Sequence, residues 1–258
     1  MPFNYGLDIK SLNNPMGFVY GKGIFGPEPE IRRLSDIHRS LSDPDCEGPE
    51  ELYAIVMDVG KKKDRRDLIE RNLLFGVVTY SAGRLGDEPV RSQGHIHAVS
   101  PSGGLSTPEV YEIWEGEAVI YMQESGEDDP GRCYAVHASV GDVVIVPPGW
   151  VHATVNADPL NPMTFGAWCV RDYGFDYRDV RRHGGIAFFP KIGGEGLTWE
   201  KNPEYSGGCL FEKHARTYGD FGLTPGIGIY PQYEADHSLF DFVKDPAPYA
   251  ALWEKYIP

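Results

Sequence analysis

The chain has 258 residues, a formal net charge of -14 at pH 7, and 41% hydrophobic and 12% aromatic residues. That length and apolar share suffice for a buried core, while the acidic balance excludes a sequence-independent grip on nucleic acid or an anionic membrane. No apolar run approaches membrane-spanning length, and the first residues lack a basic region followed by an apolar stretch, so a cytoplasmic protein is expected.

In chain order, residues 1–28 read as an extended arm with a strand over 17–20, and a short helix over 29–41 carries Arg32, Arg33 and His38. A strand covers 51–58, and the basic run from Lys61 to Arg66 reads as a solvated loop. Strands follow at 73–80 and 91–97, then at 109–114 and 117–123, joined as a hairpin through Glu115-Gly116. Further strands are expected at 132–138, 142–146, 151–157, 163–170 and 186–189, and helices at 238–243 and 248–256. Short strands at regular intervals, with 31 Gly and 21 Pro dispersed among them, predict an all-β sandwich or barrel. The chain is expected to be one domain over 1–258, with its core at about 50–190. An N-terminal arm covers 1–49, and a mostly helical extension over 207–258 packs on the barrel. Cys46, Cys133, Cys169 and Cys209 lack CxxC spacing, which predicts reduced thiols.

Chemistry concentrates in two blocks. His95 and His97 are two residues apart, so on a strand both imidazoles leave one face, where a single cation can take both. Glu109 and His152, the latter after the turn Pro147-Pro148-Gly149, offer further ligands. Three imidazoles and a carboxylate suit Fe, Mn, Zn or Ni without choosing among them. Expanded coordination leaves two positions for adjacent substrate oxygens. That suits aldose–ketose isomerisation, in which a base moves a proton between neighbouring carbons, and equally suits oxygen activation at Fe(II).

The order of His95, His97, Glu109 and Gly116, then Gly141, Pro147, Gly149, His152 and Asn156, resembles both blocks of the cupin superfamily. More narrowly, Gly94-His95-Ile96-His97-Ala98, Glu109-Val110-Tyr111 and the run from Val146 to Asn156 resemble the cupin-type glucose-6-phosphate isomerase family. Arg32 to Asp36, Tyr53, the Phe75 strand and Asp176-Tyr177 extend the likeness from about residue 30 to 205. The resemblance implies a double-stranded β-helix, or jelly-roll, barrel that pairs as a homodimer. It implies one divalent metal ion per subunit on His95, His97, Glu109 and His152, with Glu109 also the catalytic base. Tyr53, Ser92, Gly94 and Tyr111 would contact a phosphorylated hexose, and the reaction would interconvert glucose 6-phosphate and fructose 6-phosphate through an enediolate. The alternatives are an Fe(II) cupin dioxygenase and a non-catalytic, metal-dependent sugar-binding cupin.

Three departures stand out. The 98–108 segment is longer than in short family members and would form a lid. Cys169 and Phe175 stand where the family places a tyrosine and a histidine, so Arg91, Arg84 or Arg171 is expected to supply the missing phosphate contacts.

Overall fold

Strand Glu109–Glu115 sets the pattern of the whole molecule, because successive side chains leave opposite faces. Tyr111 and Ile113 point between two sheets, while Val110 and Trp114 join a separate core on the outer side. The computed structural model describes residues 3–194 and 196–258. In the larger sheet the order is Val143–Val146, Glu109–Glu115, Met163–Val170, Leu73–Tyr80 and Glu51–Lys61, the last pairing also with Ile24–Phe25 and Glu30–Arg33. The smaller sheet runs Val151–Asn156, Ala118–Gln123, Arg132–Ala138 and Cys209–His214. Ile120, Met122, Tyr134, Val144 and Phe165 fill the space between them. This is the all-β cupin barrel that the strand rhythm and the resemblance predict.

The expected hairpin at Glu115-Gly116 does not form. Glu109–Glu115 pairs with Val143–Val146 and Met163–Val170, whereas Ala118–Gln123 pairs with Arg132–Ala138 and Val151–Asn156. The chain therefore crosses from one sheet to the other at this corner. A register shift between Ile113 and Glu115 bends the strand. Gly116 completes the turn at φ +74°, where an added Cβ would stand 2.5 Å from the Pro162 carbonyl oxygen.

The expected strand over 91–97 is also interrupted. Arg91 and His95 make single bridges to Val155 and His152, and only Ile96–His97 forms a ladder, against Phe175–Asp176. Gly94, at φ +93°, breaks the run. At the N-terminus a hairpin joins Ile9–Asn13 to Met16–Tyr20. The helix expected over 29–41 shrinks to Leu34–Ile37 with a 3-10 turn at His38–Ser40, because Glu30–Arg33 is drawn into the larger sheet. The basic run is not a free loop: Lys61 ends a strand, Arg65–Glu70 is helical, and Lys61 and Lys63 reach Glu234 at 2.7 and 2.9 Å.

Strands Leu73–Tyr80 and Met163–Val170 are buried along their whole length because the C-terminal segment covers their outer face. Trp168 stacks on Tyr230 and Phe240 at 5.5 and 5.2 Å and meets the Phe75 edge at 4.7 Å. Such pairs add about 0.5–1.5 kcal/mol each beyond area burial. Helices Asp241–Lys244 and Ala250–Trp253 fall where helices are expected, while helix Ile229–Ala235 and strand Cys209–His214 are additional. The four cysteines are free thiols.

One buried carboxylate ties this cover to the barrel. Glu112 accepts the Ile229 backbone N–H at 2.7 Å and the Trp114 indole N–H at 2.9 Å, at 0% exposure. Burial outweighs both donors and pushes its carboxyl from 4.5 up to about 7. The folded state thus holds the proton more tightly, so this group favours folding below the unfolded value and that contribution is lost as pH rises towards 7. Urea denaturation of wild type should show about 2 kcal/mol of such loss between pH 5 and 7.5, and Glu112→Gln should remove that component. An unchanged pH difference in the variant would show that Glu112 is already ionised in the fold.

Candidate metal centre and its cavity

The ligand candidates come from separate segments of the barrel. His95 and His152 face each other across reciprocal backbone hydrogen bonds of 3.0 and 2.9 Å. His97 ends the short ladder beside Phe175, and Glu109 opens its strand opposite Val146. One ligand atom from each of His95, His97, Glu109 and His152 lies within 4.8 Å of the others.

Outer partners fix the tautomers. His97 Nδ1 lies 2.9 Å from the Thr107 carbonyl oxygen and His152 Nδ1 lies 3.2 Å from that of Trp150. A carbonyl only accepts, so each Nδ1 carries the proton and each Nε2 presents a bare lone pair. The Nε2 atoms of His95, His97 and His152 are buried without a hydrogen-bond partner. Those of His97 and His152 stand 3.2 and 3.4 Å from Glu109 Oε2.

Burial, then the neighbouring imidazoles of His152 and His97, hold His95 well below its ordinary range, and burial also lowers His152. Burial acts to raise the Glu109 carboxyl, and a proton or cation on the facing His152 and His97 nitrogens is what holds it well below the usual carboxylate range. An ionised carboxylate facing bare lone pairs in a buried site lacks compensation until positive charge sits among them. The donor set therefore fits a divalent cation.

Both Glu109 oxygens are held from the other side. Tyr111 donates its hydroxyl to Oε2 at 2.7 Å and the Cys169 thiol donates to Oε1 at 2.9 Å. Burial, followed by the Glu109 charge, raises both donors well above their ordinary values, so both keep their protons.

A cavity opens in front of this cluster. Tyr53, Ser92 and Tyr111 line it with His95 and Glu109. Gly94 does not; its α-carbon faces Ile186, whose Cγ2 would stand 2.7 Å from an added Cβ. Ser92 Oγ accepts the Thr154 backbone N–H at 3.0 Å, and Tyr53 stacks on Tyr80 at 4.7 Å. Phe175 packs edge-on against His95 at 4.5 Å.

The arginines expected to replace the missing contacts are elsewhere. Arg91 is fully buried and spends its donors on Glu88, the Ser92 carbonyl and the Ser40 carbonyl at 2.6, 2.9 and 2.7 Å. Arg171 pairs with Asp58 at 2.7 Å, and neither it nor Arg84 lines the cavity. Arg32 does, together with Gln93 and Tyr177. Reading 29–41 as a helix hid Arg32, although the order Glu30-Ile31-Arg32 alternates as a strand should.

The expected lid over 98–108 is pinned on two sides. Asp172 accepts the Ser100 hydroxyl and the Ser102 backbone N–H, each at 2.9 Å. Ser106 donates its hydroxyl to the His97 carbonyl at 2.7 Å and accepts the Gly149 N–H at 3.0 Å. The segment thereby braces the loops that carry His97 and His152.

Comparison with known proteins identifies the family of the chain. The glucose-6-phosphate isomerase (GPI) family model matches residues 42–206. Glucose-6-phosphate isomerase of Thermococcus onnurineus is 29% identical over 178 residues, 66% of this chain and 84% of that protein. Its namesake from Thermococcus gammatolerans is 28% identical over 189 residues, 70% and 89% of the two chains. The Pyrococcus furiosus protein of the same name is 29% identical over 163 residues, 62% and 80%. With the family model covering well over half its length, the chain belongs to the glucose-6-phosphate isomerase family and is an isomerase on a cupin barrel.

Proposed function

We propose that the protein interconverts glucose 6-phosphate and fructose 6-phosphate by moving a proton between C1 and C2 through an enediolate. The observation that carries this reading is the ionised, doubly hydrogen-bonded Glu109 at the wall of a cavity, beside three bare imidazole nitrogens. The names of the matched relatives supply the sugar phosphate.

In this reading His95, His97, His152 and Glu109 hold one divalent ion, with Fe, Mn, Zn and Ni all suited to the donors. When bound, that ion supplies positive charge against the sugar oxygens that become negative during the reaction. Glu109 takes the C1 or C2 proton and returns it to the neighbouring carbon. Oε2 stands with the imidazoles and Oε1 with Cys169, so ligation and proton transfer are divided between its two oxygens. Tyr111 and Cys169 aim that carboxylate. Tyr53 and Ser92 offer hydroxyls to the sugar. The proposal takes the chain as one domain, since the Tyr230 and Phe240 rings cover Trp168 on the barrel.

A chelator-treated sample, reloaded in turn with each of the four metals, should regain turnover of fructose 6-phosphate in a coupled assay with at least one. No turnover with any of them overturns the proposal. Oxygen uptake in the Fe(II) sample would assign a dioxygenase instead.

A further inference from the structure

Building on the sugar-phosphate reading, we propose that Arg32 is the phosphate-binding and specificity-determining cation of the cavity. Arg32 is the one Lys or Arg among the described residues that line it. The other candidates are occupied: Cys169 by Glu109, Phe175 by the His95 ring, Arg91 by Glu88, and Arg171 by Asp58.

Strand pairing places Arg32 at a defined position. It lies opposite Tyr53, which in turn lies opposite Tyr80. Val110, next to Glu109, lies opposite Trp168, which pairs with Phe75. In the larger sheet Glu109–Glu115 and Glu30–Arg33 therefore stand two strands to either side of Leu73–Tyr80. Glu109 and the Arg32 guanidinium thus enter the cavity from different walls, which suits a substrate whose reacting carbons and phosphate are at opposite ends.

The chemistry suits a dianion. A guanidinium offers a planar fork to phosphate oxygens. Its present partner, Glu30 at 2.7 Å, has a side chain 62% exposed, and such ion pairs contribute only about 0–1 kcal/mol. Phosphate can displace it at little cost. In a chain of net charge -14, a cation inside the cavity is also what draws a dianion in.

Calorimetry with arabinonate 5-phosphate and arabinonate, on metal-loaded protein, tests this directly. Wild type should bind the phosphorylated acid at least about tenfold more tightly than the plain one. Arg32→Gln should lose that preference while keeping its affinity for arabinonate, which also shows that the variant is folded. Arg33→Gln, which removes the same charge from the same strand, should keep the preference, and Arg32→Lys should retain part of it. A preference that survives in Arg32→Gln, or none in wild type, overturns the assignment. Turnover of fructose 6-phosphate separates this inference from the reaction itself. Active wild type with an unaffected KM in Arg32→Gln removes the role of Arg32 alone, whereas an Arg32-dependent preference without turnover removes the reaction alone.

Discussion

Replacing Glu109 with glutamine is expected to lower fructose 6-phosphate turnover by about 10²- to 10⁴-fold, the usual contribution of a positioned general base. Glutamine keeps the shape and still accepts from Tyr111 or Cys169, but it cannot take a proton at neutral pH. Because Glu109 is also a candidate ligand, the variant's metal content is to be measured beside its kinetics. Lost turnover with retained metal assigns proton transfer, and lost metal assigns ligation as the main contribution. Turnover within about threefold of wild type would remove Glu109 from the chemistry. Thermal unfolding of the metal-free proteins serves as the check that the barrel persists.

The second large effect, on stability, is expected at Arg91→Ala. Arg91 and Glu88 form a fully buried pair at 2.6 Å, and the other guanidinium nitrogens hold the carbonyls of Ser40 and Ser92. Glu88 also accepts the Ser42 backbone N–H at 2.6 Å. Removing one partner leaves Glu88 charged and uncompensated, which costs about 3–5 kcal/mol. In a chain of this size that lowers Tm by on the order of 10 °C. The double variant Arg91→Met with Glu88→Leu should be less destabilised than Arg91→Ala alone, since no buried charge remains. Equal Tm values for wild type and Arg91→Ala would show that the pair contributes nothing to folding.

Arg91 also illustrates what sequence reading misses. A lone arginine beside Ser92 looks available for phosphate, and only the packed structure reveals that every donor is taken. The convergence of the four ligand candidates was legible because it rests on local spacing, His95 with His97 and Pro147 with His152, and the strand alternation around Glu109 obeys a period of two. What was not legible depends on partners distant in sequence. The corner at Gly116 and a hairpin there share the same local residues, and only the pairing of Glu109–Glu115 with Met163–Val170 distinguishes them. Arg32 sits in a charged stretch that helix propensity tolerates, and strand Glu51–Lys61 decides its conformation. Helix Ile229–Ala235 contains Pro231 and follows Gly228, so little in its composition announces it; packing on Trp168 and the Glu112 contact hold it.

The corner at Gly116 has one more effect. It sends Glu109 to one half of the sandwich and leaves His152 on the other, while their ligand atoms remain within 4.8 Å. A cation gripped by both would bolt the two walls together. Metal binding and barrel cohesion would then reinforce each other, and prising the walls apart would release the ion.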